Sequence, residues 1–317
     1  MPQLSVVVPV YKAEHTLVPL YERLVAALEP AWPDFELLLV EDAGGDRSWA
    51  VIEELAARDG RVRGIKLSTN FGQHAATICG IGAARGTWIV TMDCDLEHPP
   101  EAIPALVAKA LEGYDLVYGV FHARTHAAWR NLTSGLARML FKMAIPSLNG
   151  EYTSFRVVNA RVARVITQFS SPFPFVDGYL SWVTNKYATV PVAHERKPEG
   201  RSTYTFRKLL THTINIFVTF SDLPLRLASW LGLLVFFGGL AATAVIVWGR
   251  LSGAITVSGY ASIMAGLFSF GGLQLLVLGI LGEYIARINF KTTQKPLFVI
   301  GEETAGPQPV PALKERA

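Results

Sequence analysis

The chain has 317 residues, half of them hydrophobic and only 17% charged, and its 29 basic and 26 acidic side chains leave a net charge of +3. So small an excess points away from a nucleic-acid binder, and the length fits one soluble domain of about 200 residues plus a further apolar segment. The two cysteines, Cys79 and Cys94, have no metal-site or redox spacing, so no disulfide framework is expected.

Leu4-Ser5-Val6-Val7-Val8-Pro9-Val10-Tyr11-Lys12 is an apolar run that reads as a buried parallel strand. Leu17, Leu20, Leu24, Val25 and Leu28 follow at helical spacing, and a second strand over 35–40 runs straight into Glu41-Asp42-Ala43-Gly44-Gly45-Asp46. A helix around 50–57, a strand over 63–67 and a helix over 73–84 come next, then the strand Trp88-Ile89-Val90-Thr91-Met92. This alternation predicts an α/β domain with a mostly parallel, Rossmann-like sheet covered by helices. In such sheets ligands bind beyond the carboxyl ends of the strands, where Tyr11, Asp42 and Asp95 all fall.

The strand over 88–92 ends in Asp93-Cys94-Asp95. Two carboxylates one residue apart can share one Mg²⁺ or Mn²⁺, which keeps several waters and takes its other ligands from substrate phosphates. A solvated turn at a strand end is the alternative. Cys94 reads as the small middle residue of the pair, with no catalytic role.

The successive motifs Pro9-Val10-Tyr11, Glu41-Asp42 with Gly44 and Asp46, Asn70-Phe71-Gly72-Gln73 and Asp93-Cys94-Asp95-Leu96-Glu97-His98-Pro99-Pro100-Glu101 resemble those of family-2 glycosyltransferases of the GT-A fold. Arg196-Lys197-Pro198-Glu199-Gly200-Arg201-Ser202-Thr203-Tyr204 and Phe220-Ser221-Asp222-Leu223-Pro224-Leu225-Arg226 extend the likeness to the branch that moves a sugar from a nucleotide donor onto a polyprenyl phosphate. That branch includes dolichol-phosphate mannose synthases, bactoprenol glucosyltransferases and aminoarabinose transferases.

The resemblance implies that Pro9, Tyr11, Glu14 and Asp42 meet the nucleotide base and ribose, with Asp93 near the ribose and, with Asp95, on the metal. It implies that Asn70 and Gln73 open a helix whose free N–H groups favour phosphate, and that Lys197, Arg201 and Tyr204 belong to a loop gripping the diphosphate or lipid phosphate. Each has a plainer alternative: strand-end packing for Tyr11, a turn or cap for Asp42, N-capping for Asn70 and Gln73, surface charge for Lys197 and Arg201. UDP is the donor nucleotide that the likeness favours.

The sequence departs from the family at one point. Many relatives carry an acid just before Phe-Arg, whereas this chain has Thr153-Ser154-Phe155-Arg156-Val157. Neither Glu151 nor Asp177 aligns convincingly as a substitute base. A lipid monophosphate is already anionic, so it can attack without a strong base. Arg156 either orients a phosphate or pairs with a carboxylate in the fold. His98 is expected as a loop residue near the metal, and Phe169, Phe173, Phe175 and Trp182 as packing or an acceptor groove.

Composition changes after residue 205. Residues 227–248 and 260–281 are uncharged apolar runs, each about 33 Å long as a helix against a hydrocarbon core of about 30 Å. Gly238, Gly239, Gly266, Gly271, Gly272, Gly279 and Gly282 would let helices approach closely, within the chain or in a homo-oligomer. Arg207, Lys208 and Arg226 precede the runs, Arg287, Lys291 and Lys295 follow them, and Arg250 alone lies between. This distribution predicts a multi-pass protein of the cytoplasmic membrane with both long ends cytoplasmic.

Phe206, Leu209, Leu210, Thr213, Ile214, Phe217 and Phe220 form an apolar stripe, with Arg207, Lys208, Thr211 and His212 off it, as in a helix lying in the membrane interface. The predicted organisation is a catalytic domain (1–203), a juxtamembrane amphipathic segment (204–226), a two-helix transmembrane region (227–286) and a cytoplasmic tail (287–317), expected to be mobile after Lys291 from its Pro, Gly and charge content. The expected activity is metal-dependent, inverting transfer of a sugar to undecaprenyl or another polyprenyl phosphate. A polysaccharide synthase and a non-catalytic lipid-carrier translocase or scaffold are the alternatives; the Gln-x-x-Arg-Trp motif of the synthases is absent.

Overall fold

The computed structural model describes residues 3–121, residues 152–193 apart from 170 and 172, residues 259–304 apart from 294, and scattered positions between 228 and 252. Every residue of β1 (Leu4–Val10) and β2 (Glu36–Glu41) is buried, as strands covered on both faces require. β1 runs parallel to both β2 and β4 (Trp88–Thr91), with Val7 opposite Leu38 on one side and Thr91 on the other. β3 (Val62–Leu67) continues the parallel array beyond β2.

The second half of the sheet is less regular than the predicted array. β6 (Arg156–Asn159) lies antiparallel between β4 and β5 (Leu116–Phe121), and β7 (Tyr187–Val192) pairs parallel with β5. With β8 (Ile300–Glu303) the order is β7-β5-β6-β4-β1-β2-β3-β8.

Alternation along the strands divides the interior into two cores. Val6, Val8, Val10, Leu37 and Leu39 pack with Leu17, Leu20, Leu24 and Leu28 of α1 (Leu17–Leu28), Ile52 and Leu55 of α2 (Ser48–Arg58), and Leu106 of a later helix. Val7, Leu38 and Val40 point the other way, onto Ile78 and Cys79 of α3 (Gln73–Ala83). α4 (Ile103–Leu111), which carries Leu106, covers the first face; α5 (Ala160–Ile166) and α6 (Val176–Val183) cover the second.

α3 lies unusually close to β1. A Cβ on Gly80 would sit 2.3 Å from Val7 Cγ1 and 3.1 Å from Val40 Cγ2. Gly80→Ala should therefore lower stability by about 1–3 kcal/mol through overpacking, read as a lower denaturant midpoint. An unchanged midpoint would mean that the helix can back away from the sheet. The contact bears on the site because it fixes where the start of α3, at Gln73, stands over the ends of β1 and β4.

The chain after Lys291 is not the mobile tail expected from its Pro, Gly and charge content, at least as far as Thr304. β8 pairs antiparallel with β3, Ser68 N donates to Val299 O at 2.8 Å, and Thr304 exchanges backbone and hydroxyl hydrogen bonds with Gly64. Lys66 Nζ meets Glu302 at 2.7 Å, and Leu297 and Phe298 pack against the core. All four residues of β8 are exposed, so main-chain pairing along an otherwise open strand edge holds it, a signal that hydrophobic patterning does not carry.

Before β8 comes α7 (Tyr260–Thr292), 33 residues long. It exposes Ile263, Leu267, Phe270, Leu275, Leu276, Leu278, Leu281, Ile285 and Ile288. Among the described residues no helix is long and apolar enough to cross a membrane. Several side chains of α7 and half of the first apolar run lie outside those residues, as does the whole amphipathic segment 204–226.

Candidate active site

β1, β2 and β4 end side by side, and three non-glycine residues there adopt left-handed backbone conformations: Lys12 (φ 53°), Ala43 (φ 49°) and Leu96 (φ 66°). Such conformations are uncommon outside glycine and cluster where a fold has to hold a loop in one place. Tyr11 follows β1 half exposed, with Lys12 Nζ 5.4 Å from its ring centre. Pro9 is buried in β1 and lines a small cavity behind Asp93.

Glu14 and Asp46 tie the loops after β1 and β2 together. Arg47 N donates to Glu14 Oε2 at 2.9 Å, Glu14 N to Asp46 Oδ2 at 3.3 Å, and Ser48 Oγ to Asp46 Oδ2 at 2.8 Å. Burial pushes Asp46 upward, but the hydrogen bonds from Ser48 and Glu14 outweigh it and hold the carboxyl below its ordinary value. Asp46 is thereby kept as an anion at the start of α2, where the helix dipole also favours negative charge.

Asp42 is buried, and its carboxylate is engaged by the protein: Phe71 N donates to Oδ1 at 2.7 Å and Gly72 N to Oδ2 at 2.8 Å. Asn70 Nδ2 donates to Asp42 O at 3.1 Å. Burial raises the Asp42 pKa, with the two N–H groups opposing. Asp42 thus fixes the loop before α3. Asn70 and Gln73 do not cap that helix; its N-cap is Gly72 with φ 91° and no side-chain cap bond.

Gln73 reaches the other way, its Nε2 donating to Asp93 Oδ1 at 2.6 Å. The second oxygen of Asp93 accepts Ser154 Oγ at 2.7 Å, and Asp93 N donates to His98 Nδ1 at 3.0 Å. Asp95 Oδ1 accepts Glu97 N at 3.2 Å. The half-buried Asp93 and Asp95 are therefore presented at the end of β4 on a constrained loop. Burial pushes the Cys94 thiol between them up to about 11, which suits an inert spacer.

His98 lies in the loop after β4, as expected, but it is buried there, between Phe121 and Phe155, with ring centres at 5.6 and 5.2 Å and near-parallel planes. Burial lowers its pKa, while Asp93, Asp95 and Glu97 pull the other way. The neutral ring, its proton on Nε2, is the form that can accept from Asp93 N.

Arg156 pairs with Asp177 inside the fold, the second of its two anticipated roles, and its Nε donates to Thr91 Oγ1 at 2.9 Å. Both members of the pair are almost fully buried, and Tyr118 Oη donates to Asp177 Oδ1 at 3.2 Å. A cavity of about 20 Å³, lined in part by Asp93, Gln73, Ser154, Arg156 and Asp177, joins the ion pair to the site.

Phe175 is buried against His74 and Tyr152, and Phe169 packs on Tyr179, so these two aromatics take the packing role. Lys197, Arg201, Tyr204 and Glu151 lie outside the described residues.

Ser154 and His98 are the contacts that sequence reasoning missed. The register of β4 on β6 runs Thr91↔Arg156 and Val90↔Val157. Continued two steps past Thr91, it sets Ser154 opposite Asp93. No local sequence pattern reveals a partner 61 residues away.

Among the described residues no group of three or more His, Cys, Asp and Glu side chains forms a ready metal cluster. The two strand-end carboxylates nonetheless supply hard oxygen donors of the kind Mg²⁺ or Mn²⁺ takes when waters and phosphates complete its shell.

A mixed sheet with paired carboxylates at the carboxyl end of a central strand offers a site for a divalent cation and an anionic ligand, and comparison with known proteins supplies the class. Residues 5–161 match the family model of glycosyl transferase family 2, and the chain belongs to that family: it is a glycosyltransferase. It is 33% identical over 307 residues to the uncharacterized glycosyltransferase YkcC of Bacillus subtilis (strain 168), covering 94% of this chain and 93% of that one. It is likewise 33% identical over 302 residues to the undecaprenyl-phosphate 4-deoxy-4-formamido-L-arabinose transferase of Proteus mirabilis (strain HI4320), covering 94% and 93% of the two chains. Among solved structures, glucosyl-3-phosphoglycerate synthase of Mycobacterium tuberculosis, in complex with Mn²⁺, UDP-glucose and phosphoglyceric acid, aligns with a TM-score of 0.48 and 18% identity over 69% of this chain and 78% of that one.

Proposed function

We propose that this glycosyltransferase moves a sugar from a nucleotide donor, with UDP as the carrier, onto a polyprenyl phosphate at the cytoplasmic face of a membrane, inverting the anomeric centre. The observation that carries the reading is the surroundings of Asp93. Among the described residues, the carboxylates lining the cavity behind it are Asp93 itself, proposed for a metal, and Asp177, engaged by Arg156. Where a hydroxyl acceptor would call for a general base, Ser154 stands instead. A phosphate monoester brings its own anionic oxygen and needs no deprotonation. The name of the Proteus mirabilis relative supports the same acceptor.

Asp93 and Asp95 would hold Mg²⁺ or Mn²⁺. When bound, the cation supplies positive charge beside the diphosphate as negative charge builds on it. The chain's own part is positional. Asp42 fixes the loop 70–72, that loop sets Gln73, and Gln73 with Ser154 orients Asp93. Tyr11, exposed beyond β1, offers a face for the base, and Lys197, Arg201 and Tyr204 are proposed for the phosphates.

The membrane assignment rests on the apolar runs and on the row of large apolar side chains that α7 leaves exposed. Over about 50 Å of helix such a row is compatible with lipid. Two crossings, residues 204–226 lying in the interface and a homo-oligomer through the glycine-rich runs complete the proposal.

The test is transfer in liposomes or detergent: purified protein, undecaprenyl phosphate, Mn²⁺ or Mg²⁺ and a panel of radiolabelled nucleotide sugars, with Asp95→Ala as control. One donor should give an organic-extractable product that disappears in the variant. Folded protein that yields no product from any donor overturns the proposed acceptor.

A further inference from the structure

We infer that Ser154 is a positioning residue for metal and diphosphate binding: its hydroxyl, acting with the amide of Gln73, holds the Asp93 carboxylate in the orientation that receives the cation. The inference rests on the reading of Asp93 as a metal ligand and adds to it a residue that contacts neither metal nor substrate.

Asp93 is fixed at three points by three different parts of the chain. His98 Nδ1 takes its backbone N–H, Gln73 Nε2 reaches Oδ1 at 2.6 Å, and Ser154 Oγ reaches Oδ2 at 2.7 Å. A carboxylate offers about four lone pairs, two on each oxygen. One lone pair per oxygen is occupied by the protein, and one per oxygen is left for a cation. With only one oxygen held, the side chain can still turn about its own axis and swing the other oxygen away. The second anchor removes that freedom before any ligand arrives.

Ser154 is itself placed with little slack. Thr91 Oγ1 donates to Ser154 O at 2.7 Å, and Arg156 Nε donates to the same threonine hydroxyl at 2.9 Å. Phe155 and Arg156, which follow it, are buried. Gly119 N donates to Phe155 O at 2.9 Å, fixing the next residue from the β5 side. The serine hydroxyl is thus aimed at Asp93 by the antiparallel pairing of β6 on β4, a part of the scaffold remote from the donor loops.

Groups that orient a metal ligand from outside the coordination shell typically change metal affinity by about 10–100-fold when removed. Ser154→Ala deletes one oxygen from a half-buried residue, so Mn²⁺ affinity measured in the presence of UDP should fall by about tenfold, at the low end of that range. Ser154→Thr, which keeps the hydroxyl, should restore it.

Full-length protein in detergent is titrated with Mn²⁺ in the presence of UDP, free Mn²⁺ being followed by electron paramagnetic resonance, and melting temperatures are recorded without metal. Weaker binding in Ser154→Ala, rescue in Ser154→Thr and matched metal-free melting temperatures support the inference. Wild-type affinity in Ser154→Ala, or equal loss in the threonine variant, overturns it. So does a lowered melting temperature with unchanged affinity, which would mark the serine as merely structural. Asp93→Ala keeps the two readings apart. If that variant loses Mn²⁺ while Ser154→Ala does not, only the positioning role falls; if the wild-type protein binds no Mn²⁺, the metal reading falls and takes the inference with it.

Discussion

Asp93→Ala should reduce kcat for sugar transfer by about a thousandfold while the protein remains folded. The substitution removes a carboxylate proposed to hold the metal, and it also leaves Gln73 Nε2 and Ser154 Oγ without the acceptor they share. Because Asp93 is half-buried at a strand end and belongs to no core cluster, the stability cost is small beside the catalytic one. Asp93→Asn is the sharper comparison. It keeps the shape but turns one oxygen into an N–H donor, which then faces either the glutamine amide or the serine hydroxyl. Steady-state rates at saturating donor and metal, together with melting curves, check both variants. A loss smaller than threefold in Asp93→Ala would remove this residue from the metal site.

Arg156→Met should cost about 3–5 kcal/mol of stability, because removing one partner strands the other as an uncompensated buried charge. Asp177 is 3% exposed and Arg156 is 2% exposed, so water can rescue neither. The double variant Arg156→Met/Asp177→Leu should regain most of the loss, since apolar replacement of a whole buried pair is often close to neutral.

The single variant also carries a pH signature. Burial already pushes Asp177 above the ordinary carboxylate range, and Arg156 is the chief opposing influence. Without the guanidinium the folded-state pKa rises further, so the folded form holds a proton that the unfolded chain releases above about pH 4. The destabilisation should therefore be small near pH 4 and deepen as pH rises towards the folded-state pKa. Denaturant unfolding followed by tryptophan fluorescence at several pH values measures it. A single variant as stable as the wild type at pH 7 contradicts the buried pair. In the double variant Thr91 still lacks Arg156 Nε, so transfer should remain impaired even where stability returns.

The strands and helices up to residue 92 were legible because each announces itself locally. β1 and β2 are unbroken apolar runs, and α1 repeats leucine at helical spacing. Their bounds needed correction by only one or two residues. The strand-end position of Asp93 and Asp95 was legible for the same reason, as charges placed abruptly after such a run. What could not be read were contacts made across the sheet. Asp42, which the resemblance sets against the nucleotide, also clasps Phe71 and Gly72 through its carboxylate, and no local pattern shows that. Ser154 looked like the loss of an acid, yet the register of β4 on β6 turns it towards Asp93. His98 is the loop residue it looked like, but nothing near it in sequence shows that Phe121 and Phe155 will enclose it. β8 escaped notice because its exposed residues carry no pattern and only a free edge on β3 gives it a place.

That last strand sets a rule of parity. β7 precedes the apolar runs and β8 follows them, and both belong to one sheet. Whatever path the chain takes between Val192 and Ile300, its two ends meet again in the same sheet. If the path enters a bilayer, it must leave by the face through which it entered, so the number of crossings is even. One span or three would tear β8 from β3. A reporter inserted directly after Thr304 would then lie in the same compartment as the paired aspartates.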